Sequence, residues 1–401
     1  MTYSNILVIN AGSSSEKISF YKLAENARNQ IAPQAPIWRT EAEFPSASLD
    51  TIDWNNFLAK TLTPIINGSQ TKEGAIASNI DIVGHRIVHG CSKYNKATLI
   101  DEQVQKDIEK YIPLAPLHNK VSSAQIKAIE KILPNAKQVA VFDTAFHRTL
   151  PEVVKTYSIP YEWFEEYDIQ RFGFHGINHE YCAKQAANAL QKDISTLSLI
   201  ICHLGSGCSL AAVHNGKSVN TTMGFTPMEG LMMSSRSGSI DPGILIYLLQ
   251  NKIMTVNELE TNLNKNSGLK GIAKISDMKK IIEQMQNKNE PNKMAQLAFD
   301  MFIDRLRSSI CAMRASLPKL DALVFTAGIG ENSSLVRDKA MSGLEFLDLE
   351  LDKEANKNIN KNKNGENSIA KEISPPSSLT KIFVINAQED WAIAQQSLAI
   401  N

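Results

Sequence analysis

Two arginines stand where a chain seldom places them without an anion. Arg86 lies in Asp81-Ile82-Val83-Gly84-His85-Arg86-Ile87-Val88-His89-Gly90, a strand pattern, and Arg236 lies in Met232-Met233-Ser234-Ser235-Arg236-Ser237-Gly238, just before Asp241-Pro242. A guanidinium in an apolar strand is costly unless it meets a ligand anion or an internal carboxylate, and both readings stay open for each arginine. Asp followed by Pro suits an N-cap and first turn, so Arg236 belongs to a loop entering a helix. Asp143 follows the apolar run Val139-Ala140-Val141-Phe142, and Glu389 follows Phe383-Val384-Ile385-Asn386-Ala387-Gln388. Carboxylates at strand ends suit Mg²⁺, a hard cation that takes oxygen ligands and completes its shell from nucleotide phosphates. Each could equally cap a helix. His175 sits in Arg171-Phe172-Gly173-Phe174-His175-Gly176, where flanking glycines allow backbone to approach a ligand closely. A packed structural histidine is the alternative. His85 and His89 have the spacing of a helical metal pair, but their segment alternates and is β-branched, so no metal is expected there.

A phosphate grip is expected at the start of the chain. The run Ile6 to Ile9 ends in Asn10 and a turn of small residues, Ala11-Gly12-Ser13-Ser14-Ser15, before Lys17-Ile18-Ser19-Phe20. Strand, tight turn and returning strand leave backbone N–H groups, the hydroxyls of Ser13 and Ser15 and a nearby lysine available to a polyphosphate. Such turns also join strands without any ligand. The design recurs: Leu199 to Cys202 is apolar, then come His203-Leu204-Gly205-Ser206-Gly207 and Cys208-Ser209-Leu210-Ala211-Ala212-Val213. Thr326-Ala327-Gly328-Ile329-Gly330-Glu331-Asn332-Ser333 reads as a GxG turn after a strand, by itself a weak nucleotide signal.

These groups must be positioned by strands and helices in alternation. Short apolar runs ending in polar or Gly-rich residues recur at Ile82-Val83, Val139 to Phe142, Leu323 to Phe325 and Ile382 to Ile385, with helical segments such as Tyr181 to Leu190 and Ala295 to Leu317 between them. The pattern implies an α/β fold, in which ligands collect at the carboxyl ends of strands. Leu351 to Lys381, rich in Lys, Asn and Glu, reads as a solvated helix and loop, with a linker as the alternative. At 401 residues two domains are expected. Lys+Arg and Asp+Glu balance at 42 each, which argues against nucleic acid or an anionic membrane as partner. The five cysteines lack any CxxC pair, so free thiols in a reducing compartment are expected rather than disulfides or zinc. There is no secretory signal and no apolar segment of bilayer length, so a soluble, cytoplasmic protein is expected.

Taken in order, ILVINAGSSSEK, GHRIVHG, PLAPLHN, VFDTAFH, GFHG, CHLGSG, TTMGFTPMEGLMMSSRSG, SGLKGI, FTAGIGENS and VINAQED resemble the motifs of the acetate and propionate kinase family over essentially the whole chain. The resemblance implies an α/β fold of two duplicated ribonuclease H-like domains of the acetate and sugar kinase, Hsp70 and actin type, with an interdomain cleft closing on ATP. The domains would be 1–147, completed by a C-terminal helix 391–401, and 148–390, the nucleotide-binding and dimerisation domain. Carried over motif by motif, the metal residues fall on Asn10 and Glu389, the N-terminal ATP-binding lysine on Lys17 and the substrate-binding arginine on Arg86. The catalytic aspartate falls on Asp143, and the transition-state stabilisers on His175 and Arg236. The phosphate loop maps to His203, Leu204, Gly205, Ser206 and Gly207, the adenosine contacts to Asp277, Met278 and Lys279, and a second nucleotide loop to Gly328, Ile329, Gly330, Glu331 and Asn332. The acyl pocket corresponds to Val88, Leu117, Phe174 and Pro227, and Val88, two residues after Arg86, is expected on the same face of the strand. The chain departs from the family pattern at Glu16, usually apolar, at Ser206, usually Asn, at Asn220 and Ser239, usually Asp, and at Lys279, usually Arg.

The activity so implied is reversible, Mg²⁺-assisted phosphorylation of acetate by ATP, giving acetyl phosphate and ADP by direct in-line transfer. Mn²⁺ is the alternative metal, and a homodimer through the C-terminal domain is expected. A kinase of propionate or another short acyl group is the alternative within the class, and a nucleotide-binding scaffold with reduced turnover is the alternative outside it. A carboxylate nucleophile is already ionised at neutral pH. Asp143 is therefore expected to orient metal-bound water or an arginine rather than to accept a proton.

Overall fold

The computed structural model describes residues 2–12, 15–45, 49–66, 80–116, 118–359 and 369–400. Ser13 and Leu117, expected at the phosphate turn and the acyl pocket, lie outside the described residues. The chain divides into two compact units, one of Met1–Arg148, Phe174–Tyr181 and Gln388–Asn401, the other of Thr149–Gly173 and Cys182–Ala387.

The first unit is built on β1 (Tyr3–Ala11), β2 (Ser15–Ala24), β3 (Trp38–Glu43), β4 (Ile82–Ile87), β5 (Thr98–Leu99) and β6 (Lys137–Phe142), in the order β3-β2-β1-β4-β6-β5. β1 is covered on both faces, which is why Ile6, Leu7, Val8 and Ile9 form an unbroken apolar run that is fully buried. On one side Leu7, Ile9, Ile18 and Val83 pack with Leu58, Leu62 and Ile129 of two helices. The C-terminal helix Glu389–Leu398 packs against β1, β4 and β6. Gly84 permits that approach, because a Cβ there would collide with Ser397 and lie 2.9 Å from the Ile393 Cγ2.

The second unit carries β7 (Ser198–Leu204), β8 (Cys208–His214), β9 (Lys217–Thr221), β10 (Ala322–Thr326), β11 (Ala370–Glu372) and β12 (Lys381–Ile385), in the order β11-β12-β10-β7-β8-β9. Its longest helix, Lys293–Ala315, buries Ala298, Phe299, Phe302, Leu306 and Ile310 and packs against β7 and β8. Read from the opposite edge, this order repeats the first sheet strand for strand. In each sheet an antiparallel pair of hairpin steps (β1-β2-β3, β7-β8-β9) is followed by two parallel neighbours (β4 and β6, β10 and β12) and a short antiparallel edge strand. The fold is α/β with a duplicated topology.

Three expectations need correction. Leu351 to Lys381 holds the helix Lys353–Lys357 but also β11, whose Ala-Lys-Glu sequence has no strand signal and takes its state from pairing with β12. Thr326 to Ser333 is not a turn: the helix Ala327–Asn332 leaves β10 directly, entered through Ala327 at φ +64°. Finally β4 ends at Ile87, so strand alternation does not place Val88 on one face with Arg86.

Candidate active site

In the first unit the carboxyl ends of β1, β4 and β6 present Asn10, Arg86 and Asp143. Arg86 resolves its own ambiguity in part, since its Nη2 and Nε donate to the Asp143 Oδ2 at 2.6 and 3.0 Å. Its Nη1 donates to the Asn10 Oδ1 at 3.3 Å and lies 3.8 Å from the Glu389 Oε2. The Asn10 Nδ2 donates to the Asp390 Oδ1 at 2.8 Å and to the Glu389 Oε2 at 3.3 Å. Asp390 in turn accepts from the Ser19 Oγ at 2.6 Å. Asp390 was not singled out in the sequence: it follows Glu389 in the first turn of a helix, where acidic residues are common for capping reasons alone. Lys17 lies opposite Asn10 in the β1–β2 register, and the Gly12 N–H donates to the Ser15 carbonyl at 2.8 Å.

The electrostatics follow from burial. Desolvation opposes the charge on Arg86, but Asp143, Glu389 and Asp390 more than offset it and raise its pKa. Burial pushes the Asp143 carboxyl above the usual carboxylate range, against the pull of Arg86 and with a further push from Glu389. The Asp143 Oδ1 is buried and accepts no hydrogen bond among the described residues. Three carboxylates around one part-buried guanidinium, with a half-exposed Arg39 4.0 Å from Asp390, leave an excess of negative charge and hard oxygen donors.

His175 precedes the helix Gly176–Ala189 and is buried at φ +56°. Phe174 and Val88 are also buried, and the Phe174 ring meets His89 edge-on at 5.4 Å. The His85 Nε2 donates to the Gln138 Oε1 at 2.8 Å, and burial lowers its pKa to about 4.

In the second unit the β7–β8 hairpin carries His203, Leu204, Gly205, Ser206 and Gly207. Gly205 donates to the Gly207 carbonyl at 3.0 Å, and the Ser206 carbonyl accepts from the Ser234 N–H at 3.2 Å, which ties this loop to the segment holding Arg236. The Arg236 Nη1 donates to the Pro227 carbonyl at 2.6 Å. Burial pushes the Cys208 thiol up to about 12 although Arg236 opposes it. Asp277 caps the helix Met278–Met285 through the Lys280 N–H at 2.9 Å. Met278 is buried and Lys279 exposed.

At the head of β10 a Cβ on Gly328 would meet nothing within 4 Å, so protein packing does not require that glycine. Gly330 and Glu331 are held through their carbonyls by Arg337, at 2.7 and 2.9 Å, and the Glu331 carboxylate accepts from the Asn386 Nδ2 and the Ala387 N–H at 2.7 and 2.8 Å. Asn332 returns a bond to the Gly328 carbonyl at 2.8 Å, while Ile329 lies within the same helical turn. Arg337 is almost wholly buried, and no local pattern around it signals a loop brace. Two of the departures have structural employment: Asn220 donates to the Ser316 Oγ at 2.8 Å, and the Ser239 Oγ accepts from the Gly230 N–H at 3.1 Å.

The sequence profile of the Acetokinase family matches residues 5–395. The chain belongs to that family. Relatives within it include the acetate kinase of Rippkaea orientalis, 48% identical over 410 residues with 98% of each chain covered, and that of Gloeothece citriformis, 47% identical with the same coverage. Among solved structures the chain is similar to the acetate kinase of Porphyromonas gingivalis, at 31% identity and a TM-score of 0.84 over 99% of both chains. It is equally similar to a propionate kinase from Francisella tularensis, at 34% identity and a TM-score of 0.84 over 99% of this chain and 100% of that one. As a member of this family the chain is a phosphotransferase that uses ATP.

Proposed function

We propose that this member of the Acetokinase family transfers the γ-phosphoryl group of ATP to acetate, reversibly. The observation that carries the reading is the cluster of Asn10, Arg86 and Asp143 at the ends of β1, β4 and β6 with Glu389 of the C-terminal helix, a largely buried cation framed by carboxylates in a family whose relatives include acetate kinases. Arg86 keeps Nη1 on the side away from its bidentate bond to Asp143, and is assigned to the acetate carboxylate. An acetate oxygen attacks the γ-phosphorus in line, that P–O bond forms, and the bond to the β-phosphate oxygen breaks to release ADP. Arg86, together with His175 and Arg236, is also assigned to the charge on the phosphoryl oxygens in the transition state. Asp143 holds the guanidinium in place and accepts no proton, because acetate arrives ionised.

Glu389 and Asn10 fit Mg²⁺, with Mn²⁺ as the alternative, since both offer hard oxygens to an ion that would complete its shell from phosphate and water. When bound, the ion neutralises phosphate charge. Lys17, Ser13, Ser15 and the loop His203 to Gly207 are assigned to the ATP phosphates, Asp277, Met278 and Lys279 to adenosine, and Gly328 to Asn332 to the nucleotide. The open space at Gly328 supports the last assignment. Val88, Phe174, Pro227 and Leu117 are assigned to the acetate methyl. Residues 1–147 with the C-terminal helix, and 148–390, are assigned as functional domains.

We also propose a homodimer through the second unit. The helix Pro242–Gln250 buries none of its residues although it reads Pro-Gly-Ile-Leu-Ile-Tyr-Leu-Leu-Gln. Ile244, Ile246, Tyr247 and, a few residues on, Ile253 and Val256 are all exposed, large apolar side chains of the kind that an interface covers. No helix among the described residues is long and apolar enough to cross a membrane, and we place the protein in the cytoplasm. The activity is tested by coupling ADP release to a reporter with and without acetate. ADP release that acetate accelerates supports a kinase; nucleotide binding without such release supports the scaffold reading.

A further inference from the structure

His175 has a backbone conformation that side chains seldom adopt, at φ +56°, and such a residue persists only where its surroundings over-determine it. The constraints come from one short segment, Asp143 to His147, which leaves β6. At its start the Asp143 carbonyl accepts from the Gly176 N–H at 2.8 Å. At its end the His147 Nε2 lies 3.0 Å from the Phe174 carbonyl. The two bonds bracket His175 from both sides in the chain. Gly176 is itself needed there, since a Cβ would run into the Asp143 carbonyl and lie 3.1 Å from the Phe146 Cβ.

The chemistry of the second bond is fixed. A carbonyl only accepts, so the His147 Nε2 must carry the proton. We propose that His147 is a positioning residue for phosphoryl transfer, holding the Phe174 carbonyl so that His175 keeps its left-handed turn. His147 is buried, and burial lowers its pKa to about 4 with the Phe174 bond opposing, so it works as a neutral donor. The same segment begins with the residue whose side chain holds Arg86. Asp143 through His147 thus sets two of the proposed phosphoryl-handling side chains, Arg86 through a carboxylate and His175 through backbone bonds. The inference rests on the assignment of His175 given above.

The experiment compares His147→Gln, which keeps an amide nitrogen near the Nε2 position, with His147→Phe, which keeps a ring and loses the donor. Steady-state kinetics are measured with His-selective ¹³C NMR of the His175 ring, assigned by its loss in His175→Ala. In His147→Phe kcat should fall about 10- to 10²-fold, the scale of a small misplacement of a reacting group, with KM for acetate and ATP changing less than roughly threefold. The His175 resonance should move or broaden, and His147→Gln should recover most of both. Equal defects in the two variants, or a Phe variant with normal kcat and an unmoved His175 resonance, would overturn the proposal. If His147→Phe does not fold by circular dichroism, the Gln variant decides: native-like kcat and His175 resonance support the bond, and a lost resonance with intact fold refutes it. Full activity in His175→Ala would instead remove His175 from the reaction, a result separable from the position of its ring.

Discussion

Arg86 binds Asp143 through a single carboxylate oxygen: Nη2 and Nε lie 2.6 and 3.0 Å from Oδ2, while Oδ1 remains buried without a bond among the described residues. The fork fixes the guanidinium plane and leaves Nη1 directed at Asn10 and Glu389. On the proposed assignment, an arginine held this way would meet the acetate carboxylate with its guanidinium already oriented.

Arg86→Ala and Arg236→Ala should each lower turnover by about 10² to 10³, the scale of losing one transition-state donor. Arg86→Lys should recover little, because an ammonium cannot fork onto Oδ2 and reach Asn10 together. Arg86→Ala should also reduce thermal stability, since it strips the cation from three carboxylates. Steady-state rates with the fold checked by circular dichroism decide the matter, and near-normal turnover in either alanine variant removes that arginine from the mechanism.

Glu389→Ala should raise the Mg²⁺ concentration needed for half-maximal rate and lower kcat while leaving metal-free ADP binding nearly unchanged. Titration calorimetry with and without Mg²⁺ separates this from a fold defect. Equal loss of ADP affinity in both conditions would make Glu389 structural, as a residue in the first turn of its helix can be.

Glu16 gives a pH dependence that is independent of catalysis. It is wholly buried in β2, accepts one bond from the Gln125 amide, and burial pushes it up to about 8, Gln125 opposing. Between the unfolded value near 4.5 and the folded one, the native state holds a proton that the unfolded chain has released. Stability should therefore fall as pH rises through this window, by up to about 1.4 kcal/mol per pH unit from this group, and level off above pH 8 or so. Glu16→Leu, which restores the family's apolar type, should flatten that slope. Urea unfolding at pH 6 and pH 8.5 reads it directly; an unchanged slope would mean that Glu16 is ionised in the native protein.

If the helix Pro242–Gln250 joins two copies, Ile246→Glu with Tyr247→Lys should convert a dimer to a monomer by light scattering, with the helix content retained. A wild-type monomer at micromolar concentration would leave that apolar face to another partner.

Much of this site was legible because polar residues interrupt apolar runs at strand ends. Asn10, Arg86 and Asp143 are each announced by the buried strand before them, and the duplicated hairpins foretold the duplicated sheets. Asp390, His147 and Arg337 gave no such signal, because each acts on a residue distant in sequence or on a backbone carbonyl: Asp390 on Asn10, His147 on Phe174, Arg337 on Gly330. β11 was missed for the same reason, its three residues being ordered by β12 rather than by their own propensity. Val88 shows the limit of alternation, which stops where β4 stops.

The most direct measurement is the acyl-chain series from formate to butyrate with ATP and Mg²⁺, trapping acyl phosphate with hydroxylamine and counting ADP in parallel. Acetate should give the highest kcat/KM, one acyl phosphate per ADP, with propionate lower by about 10- to 200-fold for the extra methylene in an apolar pocket. A preference for propionate would make this a longer-acyl kinase, and ADP release that no carboxylate accelerates would contradict the assignment of acyl phosphate chemistry altogether.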